Sequence, residues 1–521
     1  TNILSLGRPT EYHHNFDVRY NLPLSKIPAL SWINSSINYD AGYDWRSSSL
    51  AAEDFGNTIQ NNNSMRINTQ FNLSTLYNKV PFLKNLLATK SSTRNRVPSR
   101  DRSSSQNQNN SDKSSNKLVK ILAQSIFSLK NFSFSYSESN GTFLPGFMPV
   151  SQFFGMNSPL SNSAPTLGFV LGSQNDIRIP ASNKNWITTN PDMNNLYTNS
   201  FSNNLNLRAT VEPVSRFKIM FTASRRYTLN QNEYFRNTST DPNNPVFESV
   251  SNSQSGNFNI SFLPIKTTFV NDRADNSSIL FDNFLKYRFD IAQRLNPNQN
   301  IQSGTNNYPM GYGPNSQDVM IPAFLSAYSG VKPNNQSLDN FPKIPMPNWN
   351  INFNGFTKIP WIKRSFKNVS LSHSYRSTYS VGSFVSNMSF GEQIFDLSNN
   401  YISEFQIDQV NITEQFAPLF KIDLTMKNSI TSRFEYKKDR TVSLSLSNSQ
   451  ITEVKGYEYV LGLGYRVQGV QLLFNAGGGQ QNVSSDLDLR ADISIRNNKT
   501  IIRRIEEQSN QPTSGQSLIT L

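Results

Sequence analysis

Residues 420–436 constrain the fold more than any other stretch. Seven of the nine even positions are apolar, and none of the eight odd positions is. This period of two predicts β-strand, because successive side chains leave opposite faces of the pleat. Lys427, Asn428 and Ser429 lie midway and predict the turn of a hairpin. Each strand is close to the roughly 9–11 residues that cross a bilayer obliquely, which would place one face against lipid and a charged face opposite.

One such hairpin also fits a soluble β-sandwich, so the recurrence of the pattern decides. The alternation returns in about seventeen segments. Connections after even strands include the long segments 46–63, 138–202, 227–346 and 383–400. Short turns at one end with long loops at the other are typical of an outer-membrane barrel. Short links are predicted at residues 23–31, 212–216, 359–365, 413–418, 437–439, 468–469 and 496–499.

The predicted fold class is therefore all-β, a transmembrane antiparallel up-and-down β-barrel with long extracellular loops and a few short helices. By the parity of the connections, further strands are expected before Tyr12 and after Leu521, so the chain would be part of a larger barrel. The segment 227–346 is long enough to form a cap over the pore.

The alternation is interrupted at residues 76–131. Segments 76–87 and 118–129 have helical spacing and flank a Ser/Asn/Lys/Arg tract at 91–117 that is predicted to be disordered. The tract could bind phosphate, but a solvated linker is the simpler interpretation. The predicted organisation is barrel strands at 1–75, a periplasmic helix–linker–helix insertion at 76–131, and barrel strands at 132–521 with extracellular loops at 138–202 and 227–346, the second containing a helix at 278–295.

Composition excludes several classes of protein. The 521 residues include no cysteine, so neither disulfides nor thiolate metal sites are expected. Lys and Arg exceed Asp and Glu by 49 − 36 = 13, which favours anionic partners such as phospholipid or lipopolysaccharide, although a scattered solvated surface also explains it. We expect no nucleic-acid partner. No apolar run is long enough for a transmembrane helix.

No catalytic constellation is found. His13 and His14 are adjacent, so on a strand they point to opposite faces and cannot chelate one ion; His373 lies far away in the sequence. No G-x-S-x-G, P-loop or H-E-x-x-H pattern occurs, so we predict neither an enzyme nor a cofactor. The three glycines at 477–479 lack the spacing of a nucleotide fingerprint and predict a loop or a kink.

Charged residues at the non-apolar strand positions are candidates for the wall of a pore. Asp486, Asp488 and Asp492 share a face and could hold a cation, but Arg490 among them favours a polar lumen wall. The candidate pore-lining residues are Lys421, Asp423, Arg433, Glu435, Asp486, Asp488, Arg490 and Asp492.

Eight ordered segments together resemble one family. They are residues 2–10 (NILSLGRPT), 138–147 (ESNGTFLPGF), 204–209 (NLNLRA), 347–349 (PNW), 434–440 (FEYKKDR), 450–453 (QITE), 463–466 (LGYR) and 495–500 (IRNNKT). In these segments the chain is similar to the C-terminal part of the SprA/Sov family, the outer-membrane translocons of the type IX secretion system.

The resemblance implies a very large barrel in the bacterial outer membrane that exports folded proteins bearing a C-terminal signal domain. It also implies a PorV-like smaller barrel at a lateral opening, a periplasmic plug protein, an inner-membrane motor and a link with gliding motility. Two alternatives stay open: an outer-membrane nutrient importer or porin-like barrel, and a non-transport adhesin or soluble β-sandwich array.

Overall fold

In the part of the chain that the structure describes, fifteen strands form one antiparallel sheet. The computed structural model describes residues 8–80, 128–158, 163–241, 244–297, 308–476 and 479–521. The strands are β1 (Glu11–Leu22), β2 (Ile33–Arg46), β3 (Asn57–Asn72), β4 (Leu129–Phe147), β5 (Tyr197–Val214), β6 (Phe217–Asn237), β7 (Phe247–Ser261), β8 (Asn348–Phe353), β9 (Phe366–Ser386), β10 (Phe405–Ile407), β11 (Gln409–Met426), β12 (Ile430–Ser445), β13 (Gln450–Ala476), β14 (Gly479–Arg504) and β15 (Ser509–Thr520).

Short helices connect or decorate the strands. The α-helices are α1 (Leu73–Lys79), α2 (Leu167–Val170), α3 (Arg178–Asn183), α4 (Ile279–Leu295), α5 (Gln317–Ser329) and α6 (Pro360–Ser365), and single 3-10 turns lie at Pro23–Lys26, Leu50–Phe55, Pro333–Asn335 and Phe356–Lys358. Among the described residues, no helix is both long and apolar enough to cross a membrane.

Strands that are neighbours in the chain are neighbours in the sheet. The order runs from β1 to β7, then β9, then β11 to β15, while β8 continues the line of β7 and β10 lies directly before β11. Each of these pairings is antiparallel, which confirms the up-and-down all-β fold class. Strands β1 and β15 are the two edges, and no pairing joins them within the part of the chain that the structure describes.

Four of the predicted short links are wrong, because the strands continue through them. Residues 413–418 lie within β11 and residues 468–469 within β13, and at both places the ladder contains a bulge. A bulge absorbs extra residues without ending the strand, and Gly469 has the positive φ of 69° that one of them needs. Residues 437–439 and 496–499 are charged or polar but stay hydrogen-bonded in β12 and β14.

The connections define two ends of the sheet. At the lower end lie residues 23–32, 215–216, 354–365 and the predicted turn at 427–429. At the upper end lie the long connections, but also the short ones at 446–449 and 505–508, so the predicted sorting of loops by length holds only for the first part of the chain.

Two long upper connections form insertions, of which the structure describes residues 148–158, 163–196, 262–297 and 308–347. The first insertion is residues 148–196 and the second insertion is residues 262–347, both shorter than the predicted loops because β4 to β7 extend into those ranges. The second insertion lies between β7 and β8, which follow one another along the same line of the sheet. Its ends stay together, since the backbone N–H of Met346 donates to the carbonyl of Ser261 at 2.9 Å.

The second insertion is built around α4 and α5. Helix α4 confirms the helix predicted at 278–295, and it starts directly after Ser278. Helix α5 is buried along nearly its whole length and was missed, because a segment that is apolar all round has no helical period to detect, and Pro322 lies inside it. The two helices pack on Val381, Val410 and Leu444 of the strands.

Replacing Phe324 in the centre of α5 with alanine is expected to destabilise the second insertion by about 3–5 kcal/mol, because the ring is fully buried and would leave a cavity. Hydrogen exchange of the α5 amides measures the change. Ile279→Ala, at a site that is 48% exposed, is the matched control and should stay within about 0.5 kcal/mol. Equal exchange in both variants would contradict the packing described here.

Part of the predicted periplasmic insertion lies outside the described residues. Of the helix predicted at 76–87 the structure describes the beginning, within α1, which starts three residues earlier. The tract at 91–117 lies outside the described residues, as does most of the helix predicted at 118–129, whose last residue, Leu129, begins β4.

Candidate channel wall and membrane face

The strand register gives the sheet one apolar and one polar face. A single cross-strand row joins Phe420, Tyr436, Tyr459, Ile495 and Ile519. On the other half of the sheet the corresponding row is Tyr20, Ile37, Ile67, Tyr136 and Leu205. Because side chains alternate along each strand, the residues between these rows all point to the opposite side. We call the side carrying these two rows the apolar face.

In its lower half the apolar face is exposed. Leu461 is 46% exposed, Leu463 55% and Leu489 53%, and Tyr459 and Tyr465 lie above and below them at 41% and 48%. A contiguous exposed apolar surface of this size marks contact with a membrane or a partner. The aliphatic band between tyrosine rows matches the pattern of lipid-facing strands with aromatic girdles.

In its upper half the same face is covered by the two insertions. Tyr43 and Trp45 of β2 pack on the first insertion, where the Tyr43 hydroxyl donates to the Gly155 carbonyl at 3.0 Å and the Trp45 indole donates to the Pro149 carbonyl at 3.1 Å. The second insertion covers β9 and β11 to β14. The segment expected to cap the pore therefore packs on the apolar face of the strands.

The opposite side of the sheet, the polar face, carries hydrophilic residues at nearly every described position. On β3 and β5, for example, it presents Gln60, Asn62, Ser64, Arg66, Asn68, Gln70, Ser200, Ser202, Asn204, Asn206 and Arg208. Most of these side chains are exposed or half-buried. If the sheet closes with its apolar face toward lipid, the polar face lines the lumen.

All eight candidate pore-lining residues lie on the polar face. Lys421 pairs with Glu435 and Asp423 with Arg433 across β11 and β12, and Arg490 and Asp492 follow on β14. Asp423 contacts Lys421 at 3.1 Å and Arg433 at 3.3 Å. The first four residues therefore form a mixed-charge patch, and their role as a pore wall stays a prediction.

Asp486 and Asp488 form separate ion pairs with Arg466, whose guanidinium lies 2.7 Å from Asp486 and 3.7 Å from Asp488. The Arg466 guanidinium compensates the charge of the Asp486 carboxylate. Among the described residues, no group of three His, Cys, Asp or Glu side chains could hold a metal ion. The polar-wall interpretation of this aspartate row stays a prediction.

The adjacent histidines point to opposite faces, as predicted. His13 lies on the polar face, 2.5 Å from an Asp44 carboxylate oxygen, and His14 lies on the apolar face, 3.1 Å from the Val170 carbonyl of the first insertion. His373 contacts the Leu419 carbonyl at 2.5 Å.

A group of buried charges lies on the apolar face and was not predicted from the sequence. Arg440 and Glu414 are 2% and 1% exposed and lie 3.8 Å apart. Arg440 also donates to the Thr267 carbonyl at 2.8 Å, and Tyr375 donates to Glu414 at 2.7 Å. Thr267 belongs to the second insertion, so this pair joins the insertion to the strands.

A second buried pair lies beside the first. Arg503 contacts Glu453 at 2.7 Å and Asp272 at 2.8 Å, and Lys455 contacts the same two carboxylates at 3.1 and 2.8 Å. Asp272 is again a residue of the second insertion. Burial raises the pKa of the nearby Tyr328 phenol, so that side chain stays neutral between the charges.

The signal for these charges was their position in the alternation. Arg440, Glu453 and Arg503 occupy the mainly apolar phase of their strands. A charge in the apolar phase would be costly in lipid or in a core unless it is paired. Such positions predict a protein contact above the membrane.

Wall pairs and buried pairs should differ in energy. The double variant D423N/R433Q is expected to change the free energy of unfolding by no more than about 1 kcal/mol, because exposed ion pairs are screened by water. Urea titration of the purified protein, followed by heat-modified gel mobility, measures it. A loss of several kcal/mol would mean that the pair is structural.

These features define the class of protein as all-β, with an up-and-down antiparallel sheet that has one hydrophilic and one lipophilic face. The sequence matches no protein-family model and none of the curated proteins with which it was compared.

Three solved structures to which the chain is similar are receptors. They are a ferric enterobactin receptor, PfeA (6% identity, 95% of this chain and 63% of that chain covered, TM-score 0.22), the siderophore receptor PirA from Acinetobacter baumannii (7%, 94% and 57%, 0.19) and the pyoverdine outer-membrane receptor FpvA from Pseudomonas aeruginosa PAO1 (6%, 98% and 61%, 0.16). The chain spans about three fifths of the length of these receptors. Similarity this distant transfers no property to the chain.

Proposed function

We propose that the chain forms part of the wall of a protein-conducting channel in the bacterial outer membrane, the translocon of the type IX secretion system. Its cargo would be folded proteins with a C-terminal signal domain, and its partners a PorV-like smaller barrel at a lateral opening and a periplasmic plug protein. The sequence resemblance in eight ordered segments supports the choice of system.

The observation that carries the proposal is that one face of the sheet is apolar and holds both insertions, whereas the other face is hydrophilic. Both insertions pack on the apolar face, so their bulk is directed away from the polar face. A pore that passes folded proteins needs a hydrated wall without apolar patches, since these would retain cargo. Alternating charges such as Lys421, Asp423 and Arg433 keep such a wall wet without a strong net field.

The membrane assignment has its own support. β6 has 21 residues and is about 70 Å long at roughly 3.3 Å per residue, more than twice what a bilayer crossing needs. The exposed aliphatic band accounts for the lower part of the strands. The upper part of the strands, which the insertions cover, would lie outside the membrane.

The test is a purification of the native full-length protein in mild detergent, followed by mass spectrometry of everything that accompanies it. The expected result is recovery with a smaller barrel and with secreted proteins that share a C-terminal domain. Recovery as a compact homotrimer with a small ion conductance would instead indicate a porin-like barrel. Release by salt or urea without detergent would refute the membrane assignment altogether.

A further inference from the structure

A basic cavity lies on the apolar face at the upper border of the aliphatic band. Its volume is about 890 Å³, and its floor and walls include Tyr436, Lys438, Arg440, Lys455, Tyr457 and Lys499. The Thr268–Asn271 stretch of the second insertion forms its upper side. No Asp or Glu is among the residues that line it, and four cations face this space.

Two of these cations have no acidic partner in the part of the chain that the structure describes. Lys438 donates to the Thr268 carbonyl at 3.0 Å and lies 4.3 Å from the centre of the Phe269 ring. Lys499 donates to the Asn276 side-chain oxygen at 2.6 Å. In contrast, Lys455 contacts Asp272 and Glu453, and Arg440 contacts Glu414. Lys438 and Lys499 therefore line the cavity without a salt bridge to any described carboxylate, unlike the other two cations.

The surface directly below the cavity is apolar. Tyr459 and Ile495 form the next row down the face, followed by Leu461 and Ile493, and each is about half exposed at 39–46%. A ligand that spans both regions must carry an anionic head and long hydrocarbon chains. The long insertions mark the upper end as extracellular, where the outer leaflet would lie.

We propose that this cavity binds the phosphorylated headgroup of an outer-leaflet glycolipid of the lipid A type, whose acyl chains lie along Tyr459, Leu461, Ile493 and Ile495. Lys438 and Lys499 hold the phosphate as point charges, and the second insertion closes the site from above. The inference rests on the membrane placement in the proposed function. It adds a bound lipid that touches both the strands and the insertion.

The experiment titrates full-length protein in detergent micelles with bisphosphorylated lipid A and with the same lipid after removal of its phosphates. Native mass spectrometry counts the bound lipid. The test variant is K438Q/K499Q. The matched control is K437Q/R496Q, which removes two cations from the polar face of the same strands.

The wild type and the control should bind bisphosphorylated lipid A alike. K438Q/K499Q should bind it about tenfold or more weakly, since both cations that hold the phosphate are removed. The dephosphorylated lipid should bind all three proteins weakly. Unchanged binding in K438Q/K499Q, or equal losses in both variants, would overturn the proposal. Competition by millimolar inorganic phosphate alone would show a free-anion site and overturn it too.

Fractionation of the same strains separates this inference from the proposed function. If the wild-type chain is in the outer membrane while lipid A binding ignores the lysines, only the lipid site fails. If the wild type is absent from the outer membrane, both proposals fall. Heat-modifiable gel mobility of K438Q/K499Q shows that the variant is folded.

Discussion

Replacing Leu461 and Leu463 with arginine is expected to abolish membrane assembly. Both leucines are about half exposed on the apolar face, in the middle of the aliphatic band. Each arginine at the mid-plane of a bilayer costs roughly 2–4 kcal/mol in a transmembrane barrel, so the pair costs about 4–8 kcal/mol, comparable to the whole stability of many domains. The fraction of protein in the outer-membrane band of a sucrose gradient measures the effect.

The control places the same charges on the other side of the same strands. Val460 and Ser494 are neighbours of the band residues and pair with each other on the polar face. V460R/S494R should assemble normally, since arginine there remains in water. Normal assembly of L461R/L463R, or failure of both variants alike, would refute the assignment of the two faces.

Replacing Arg503 with methionine is expected to release the second insertion from the strands. The guanidinium is fully buried and contacts Glu453 and Asp272, so its removal leaves two carboxylates with Lys455 as their remaining cation. Breaking a buried pair by deleting one partner typically costs about 3–5 kcal/mol. Limited proteolysis between residues 262 and 277 should accelerate accordingly.

Two further variants identify the cause of that loss. Arg504→Met alters the next residue, whose side chain is 53% exposed and contacts only Glu507 among the described carboxylates, at 3.5 Å, and it should leave proteolysis unchanged. R503M/E453M removes both charges together and should recover much of the protection, because an apolar pair can replace a buried ion pair. No recovery would mean that the arginine acts through its shape and packing.

The sequence predicted the sheet well wherever one physical signal was sufficient. The period of two along residues 420–436 fixed both the strand type and the side on which Asp423 and Arg433 lie, because alternation leaves no other choice. The helix at 278–295 was visible for the same reason, since it is apolar on one side only. Helix α5 had no such contrast and could be recognised only from its burial in three dimensions.

Turns were predicted less well than faces. Residues 437–439 and the Gln468–Gly469 pair look like links in the sequence. In the structure residues 437–439 pair with β13, and the β13–β14 ladder resumes at Val470 after the bulge at 468–469. The residue types of a segment show only whether it could form a turn. Where a strand ends depends on where its hydrogen-bonding to the neighbouring strands ends. The buried pairs joining Arg440 and Arg503 to the second insertion depend on contacts between segments more than 170 residues apart, as between Thr267 and Arg440, so local sequence could give only the hint of a charge in the wrong phase.

The interruption of one strand line has a consequence for the architecture as a whole. Ser261 lies opposite Thr378 of β9 and Trp349 lies opposite Tyr375, so one residue in place of 262–347 would make the line continuous. The second insertion is thus not required for the pairing of the strands. Without it the strands would keep their pairing, but Val410, Ile412, Val442 and Leu444 would face water above the bilayer. The second insertion therefore covers the apolar side chains of those parts of the strands that extend beyond the bilayer.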